Sequence, residues 1–183
     1  MEFDRQSGVF LHLTSLPGPH GIGDLGEGAL AFLDFLDRAD QSLWQFCPVT
    51  PTVDIHGHSP YASPSAFAGN PLLIDLMDLA QRGWLEKSAL ESPPGMPGEV
   101  QYDQVVPFKR ERLFEAFETF ETEADERERE SFQNFRDREE NWLEAYTLFV
   151  TLKDAHDGKS WTAWPSDLAS RHPDALAAAR QNY

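Results

Sequence analysis

The chain has 183 residues, 40% of them apolar and 12% aromatic, which provides for a packed core and excludes disorder throughout. A formal net charge of -16 repels phosphate backbones and anionic lipid surfaces, so neither nucleic acid nor a membrane surface is an expected partner. Cys47 is the sole cysteine, which leaves no disulfide framework and no cysteine cluster for zinc, and no stretch approaches the apolar length that spans a bilayer. A cytoplasmic protein in a reducing compartment is expected.

The first element is the apolar run Val9-Phe10-Leu11-His12-Leu13, which predicts a strand buried on both faces and ended by Pro17. Leu25, Ala29, Leu30, Phe32, Leu33 and Leu36 then recur at helical spacing and predict an amphipathic helix from about Gly26 to Ala39. A second short strand, rich in aromatic residues, is expected within Ser42–Val49, with Pro48 at its end. Strand, helix, strand implies two parallel strands, the unit of a doubly wound sheet or a closed barrel. The stretch Ser59-Pro60-Tyr61-Ala62-Ser63-Pro64-Ser65-Ala66-Phe67-Ala68-Gly69-Asn70-Pro71 follows. Its small hydroxyl residues and prolines cannot build a regular amphipathic element, so it reads as an ordered, ligand-facing loop.

Beyond Leu79 the character changes. Ser92-Pro93-Pro94-Gly95-Met96-Pro97-Gly98 can only be loop. The steps linking Leu113, Phe114, Phe117, Phe120, Phe132, Phe135, Trp142, Tyr146 and Phe149 predict two long paired helices whose aromatic stripe is a packing seam. The acidic run Glu121–Glu130 is expected at a solvated face or turn. Trp161–Pro165 reads as a turn, and Pro173 opens a last helix through Arg180.

Several motifs invite chemistry. Gly21-Ile22-Gly23-Asp24-Leu25-Gly26 fits the glycine spacing of a dinucleotide site, but Asp24 and Glu27 would put carboxylates where the pyrophosphate must approach. A tight turn, with Asp24 or Glu27 favouring the positive end of the next helix, is the better reading. Asp54, His56 and His58 are donors that a metal could use, yet adjacent loop histidines are commoner as solvated or substrate-facing groups. Cys47 has no nucleophile context and is expected as a small buried apolar side chain. Asp24, Asp54, Asp75 and Asp78 are carboxylates of the type a glycoside-processing site needs, but none has a context that identifies a nucleophile or an acid, so no catalytic residue is assigned. The acidity and the scarcity of lysine, confined to Lys87, Lys109, Lys153 and Lys159, fit either adaptation to high salt or a merely acidic protein.

Separated segments in one order resemble the amylomaltase family of 4-alpha-glucanotransferases (glycoside hydrolase family 77). They are Ser7–Pro17 with Gly21–Gly26, Trp44-Gln45 with Pro48 and Pro51-Thr52, Ser59–Pro71, Tyr102 with Val105–Arg110, Trp142–Phe149 with Leu152-Lys153, and Trp161–Pro165. The resemblance implies an α/β chain forming the N-terminal part of a (β/α)8 TIM barrel, its first two strand units, with an inserted helical subdomain. Residues 1–80 would start the barrel and carry a substrate loop over 52–71, and 81–183 would be the insertion. It implies a retaining transferase of α-1,4-glucan segments, without cofactor or metal, whose partners are maltodextrins and glucose as acceptor. Ser59 and Tyr61 match family residues that contact glucan near the cleaved bond, and Tyr102 matches a tyrosine near a secondary glucan groove. His56 stands where some members have another tyrosine of that groove. The family's catalytic carboxylates lie on later strands, so this chain alone is expected to be inactive and poorly stable. A non-catalytic glucan-binding or subunit-interaction remnant is the alternative.

Overall fold

Residues 5–95 and 98–182 are described by the structure, a computed structural model. Helices predominate around one small parallel sheet. Strand β1 (Gly8–Phe10) pairs with β2 (Leu43–Gln45) in the register Gly8 to Leu43, Val9 to Trp44 and Phe10 to Gln45. Helix α1 (Glu27–Arg38) connects them, within a residue of its expected bounds. Its Ala29 packs on Leu13, Leu16 and Leu73, with Leu11, Phe32, Trp44 and Val49 around them. The Trp44 indole N–H donates to the Leu11 carbonyl at 2.7 Å, tying β2 to the chain leaving β1.

The strands differ from expectation. β1 is shorter than the apolar run, and Phe10 is 59% exposed instead of buried. Among the described residues the sheet has two strands, so much of its surface has no neighbour to cover it.

Helix α2 (Leu76–Gln81) opens on Asp75, whose carboxylate accepts the Met77 N–H at 2.8 Å. It packs on α3 (Tyr102–Glu123) through Leu76, Ala80, Leu85 and Ala116, and a neighbouring cluster joins Ile22, Leu72 and Val105. The last turn of α3 ends as Ala124 turns to an extended conformation, inside the acidic run.

The chain divides into two compact units, one up to Asp125 and one from Glu126. The second contains α4 (Glu126–Arg138), α5 (Glu140–Ala155), α6 (Ser166–Ala169) and α7 (Pro173–Asn182). Leu152, Trp164 and Ala179 form its core. Where two long helices were expected, three stand between Tyr102 and Ala155. Phe132 and Phe135 on α4 are 41% and 39% exposed, and the Arg136 and Arg138 guanidinium groups lie over their rings. A helix this rich in charge meets water on most of its circumference, and arginine stems shield what apolar surface it has. Among the described residues, no helix is long and apolar enough to cross a membrane.

Candidate substrate-binding site

The loop over 52–71 leaves the carboxyl end of β2, and its two ends are joined. Asn70 donates its backbone N–H to the Val49 carbonyl at 2.8 Å, and its side-chain oxygen accepts the Leu72 N–H at 3.0 Å. Leu25 donates to the Leu73 carbonyl at 3.0 Å. Beneath this base lies Lys109 of α3, fully buried at 0% exposure. Its ammonium donates to Asp24 Oδ2 at 3.0 Å, to the Leu72 carbonyl at 2.7 Å and to the Ile74 carbonyl at 2.8 Å. Burial pushes the lysine below its ordinary pKa, while the Asp24 carboxylate pulls it back up. The second Asp24 oxygen accepts the Gly26 N–H at 3.1 Å.

The glycine spacing of 21–26 belongs to this base. A Cβ on Gly26 would fall 2.5 Å from Asp75 Oδ2, and one on Gly23 would fall 2.1 Å from the Leu13 carbonyl oxygen. Close approach of neighbouring groups, beyond the tight turn expected from sequence, therefore requires these two glycines, and Asp24 is engaged to Lys109 and to the Gly26 N–H at the start of α1.

Toward the tip, the loop holds itself through short-range bonds. Ser65 Oγ accepts the N–H groups of Phe67 and Ala68 at 3.1 and 3.0 Å, and Ser63 Oγ donates to the Ser65 carbonyl at 2.8 Å. His58, with a positive φ of 54°, joins Thr52 Oγ1 through Nδ1 at 3.0 Å and stacks on Tyr102, ring centres 4.2 Å apart and planes 8° from parallel. Burial lowers the His58 pKa, opposed by the nearby Asp54.

Ser59 and Tyr61 sit together in one turn, closed by the Ala62 N–H donating to the Ser59 carbonyl at 3.1 Å. Ser59 is half-buried, and its Oγ accepts the Tyr61 N–H at 3.4 Å in an exposed bond. Tyr61 is 75% exposed, with its hydroxyl 3.6 Å from Cys47 Sγ, a contact that raises the phenol above its ordinary pKa. Cys47 is thus half-buried and touches the site, instead of lying in the core. A tyrosine held outward in this way offers a flat apolar face and a hydroxyl, and serine offers a second hydroxyl, the pairing that suits a sugar ring.

The four aspartates considered by type all have local partners. Asp24 is bound to Lys109, Asp75 caps α2, Asp78 pairs with Arg82 at 2.7 Å, and Asp54 stands 4.0 Å from His58. Among the described residues, no three histidine, cysteine, aspartate or glutamate side chains gather as a metal would require. Tyr102 lies on α3 with one ring face taken by His58, and His56 is exposed on the loop. Sequence reasoning missed Lys109, Ser65, Asn70 and the contact of Cys47. The one available signal for Lys109 was its position seven residues after Tyr102 and four after Val105, on an apolar helical stripe, in a chain with few lysines.

Comparison with known proteins agrees on one group. The glycoside hydrolase family 77 model, described as 4-alpha-glucanotransferase, matches residues 11–183. The 4-alpha-glucanotransferase of Thermus thermophilus is 48% identical over 180 residues, covering 98% of this chain and 35% of that protein. That of Synechocystis is 46% identical over 173 residues, covering 94% and 34%. The solved structure of amylomaltase from Streptococcus agalactiae in complex with acarbose superposes with a TM-score of 0.90 at 36% identity, covering 98% of this chain and 36% of that one. The chain thus spans about a third of the length of these relatives.

Proposed function

The chain belongs to the 4-alpha-glucanotransferase family, and from that premise we propose that it is the N-terminal portion of an enzyme that transfers a segment of a 1,4-alpha-glucan to the 4-position of an acceptor glucan or glucose. In this reading β1, α1 and β2 are the opening units of a (β/α)8 barrel, and the helices after residue 80 are an insertion. The reaction is a retaining double displacement, in which one carboxylate attacks the sugar while another protonates the leaving oxygen, the two about 5–5.5 Å apart. Both carboxylates come from outside residues 1–183.

This chain contributes donor-sugar contacts. Tyr61 lies against the sugar near the cleaved bond, and the hydroxyls of Ser59 and Tyr61 bond its hydroxyl groups. The observation that carries the reading is the outward Tyr61 ring beside Ser59, on a loop leaving the carboxyl end of a strand, where barrel enzymes build their sites. The bound acarbose of the Streptococcus agalactiae relative supports a glucan-like ligand for the family fold. Maltodextrins are the substrates, and no cofactor is needed.

The test compares two proteins on maltotriose in high salt. The 183-residue chain alone forms neither glucose nor longer maltodextrins. A chimera with residues 1–183 in place of the matched segment of the Thermus thermophilus relative forms both. Products from the chain alone would overturn the assignment of the carboxylates, and a folded but inactive chimera would overturn the functional reading.

A further inference from the structure

Tyr102, Val105 and Lys109 recur at three and seven residues along α3, which sets them on one stripe of the helix. Each engages the substrate loop or its base. Tyr102 stacks on His58, the residue before Ser59. Val105, fully buried, packs on Ile22 and on Leu72. Lys109 bonds Asp24 and the carbonyls of Leu72 and Ile74. Three ammonium protons meet three acceptors, so the group fixes the chain just after the loop relative to the turn after β1.

A buried lysine is an expensive way to fill space. Apolar residues of similar volume often replace a buried ion pair without loss of stability, and in some proteins such a pair serves to fix geometry instead. We propose that this stripe is a positioning device: Lys109 locates the base of the loop, Tyr102 locates its tip through His58, and together they set where Ser59 and Tyr61 stand. Neither residue needs to touch the reacting atoms. The inference builds on the glucan reading for its effect on catalysis, but its structural half stands or falls without any ligand.

Amide hydrogen exchange over residues 1–183 of the chimera reads that half. His58, Ser59 and Ala62 donate to Val53, His56 and Ser59 carbonyls, so their amides report on the tip. Tyr102→Leu should raise their exchange roughly tenfold or more while α1 and α5 keep their protection, and Tyr102→Phe, which retains a stacking ring, should restore the original rates. Lys109→Met should also loosen the Leu25 and Leu72 amides; if that variant does not fold, the Tyr102 pair decides. Unchanged exchange at the tip in Tyr102→Leu, or equal loosening by Phe and Leu, would overturn the proposal. In the chimera, Tyr102→Leu should lower kcat for maltotriose about tenfold or more, beyond any change in KM, since misplacement of a positioning group acts on the reacting geometry. A chimera without activity would count against the glucan reading, and the exchange rates would still judge the stripe.

Discussion

The base and the tip of the loop over 52–71 are held by opposite means. The base is tied by contacts between residues far apart in sequence, from Lys109 to Asp24, Leu72 and Ile74, and from Leu25 to Leu73. The bonds inside the tip are mostly local, from Ser59 to Tyr61 and from Ser65 to Phe67 and Ala68, with the His58 stack as its link to α3. A deep base sets position, and a locally closed tip leaves side chains turned to solvent. That division is what a ligand-facing loop requires, because a tip buried as deeply as its base would have no face left for substrate.

The comparison can be broken from the base first. Lys109→Met takes the cation from the buried Asp24 carboxylate, which keeps the Gly26 N–H, and the ammonium from the Leu72 and Ile74 carbonyls, and should lower unfolding stability by about 3–5 kcal/mol in urea titration. A loss below about 1 kcal/mol would mean that water reaches the base and that the contrast is false. Ser65→Ala takes the acceptor from the amide of exposed Phe67, which water can replace, and from that of buried Ala68, which it replaces less readily, and should cost about 1–2 kcal/mol in the same titration. Tyr61→Phe should change stability by no more than about 0.5 kcal/mol, since Tyr61 is 75% exposed and its hydroxyl makes a long contact to a thiol.

Acidity sharpens the comparison at its smallest scale. His20 is 1% exposed, stacked on Phe108, and held below its ordinary 6.5 mainly by burial and then by Lys109, with Asp24 and Asp75 opposing and Arg112 adding to the fall. The unfolded chain therefore takes up a proton before the native one does. Stability from this group is complete above 6.5 and declines as pH falls from there toward the folded value. The decline in urea midpoint between about pH 7 and pH 5 should be smaller in His20→Phe than in the original chain. Equal declines would place the pH dependence elsewhere.

Local pattern carried much of the fold. The spacing of Ala29, Phe32 and Leu36 located α1 within a residue, and Pro173 marked the start of α7. The ordered loop was legible because prolines and small hydroxyl residues leave few other conformations. Strand burial was not legible, since an apolar run states a preference for cover but not whether cover is present, and Phe10 stays exposed. The break between α4 and α5 was hidden because the aromatic spacing runs on through the junction at Glu139. Lys109 was missed for a similar reason: residue type alone places lysine in water, and only the long-range partners Asp24, Leu72 and Ile74 reverse that. At the site, the resemblance pointed to Ser59 and Tyr61, and the structure adds their shared turn and the outward ring.

Steady-state disproportionation of maltotriose by the chimera with the Thermus thermophilus relative, with and without Tyr61→Ala, tests the central claim most directly. The glucan-contact account predicts a fall in kcat/KM of about tenfold or more with unfolding stability unchanged within about 0.5 kcal/mol. An unchanged kcat/KM in a stably folded Tyr61→Ala chimera would contradict it.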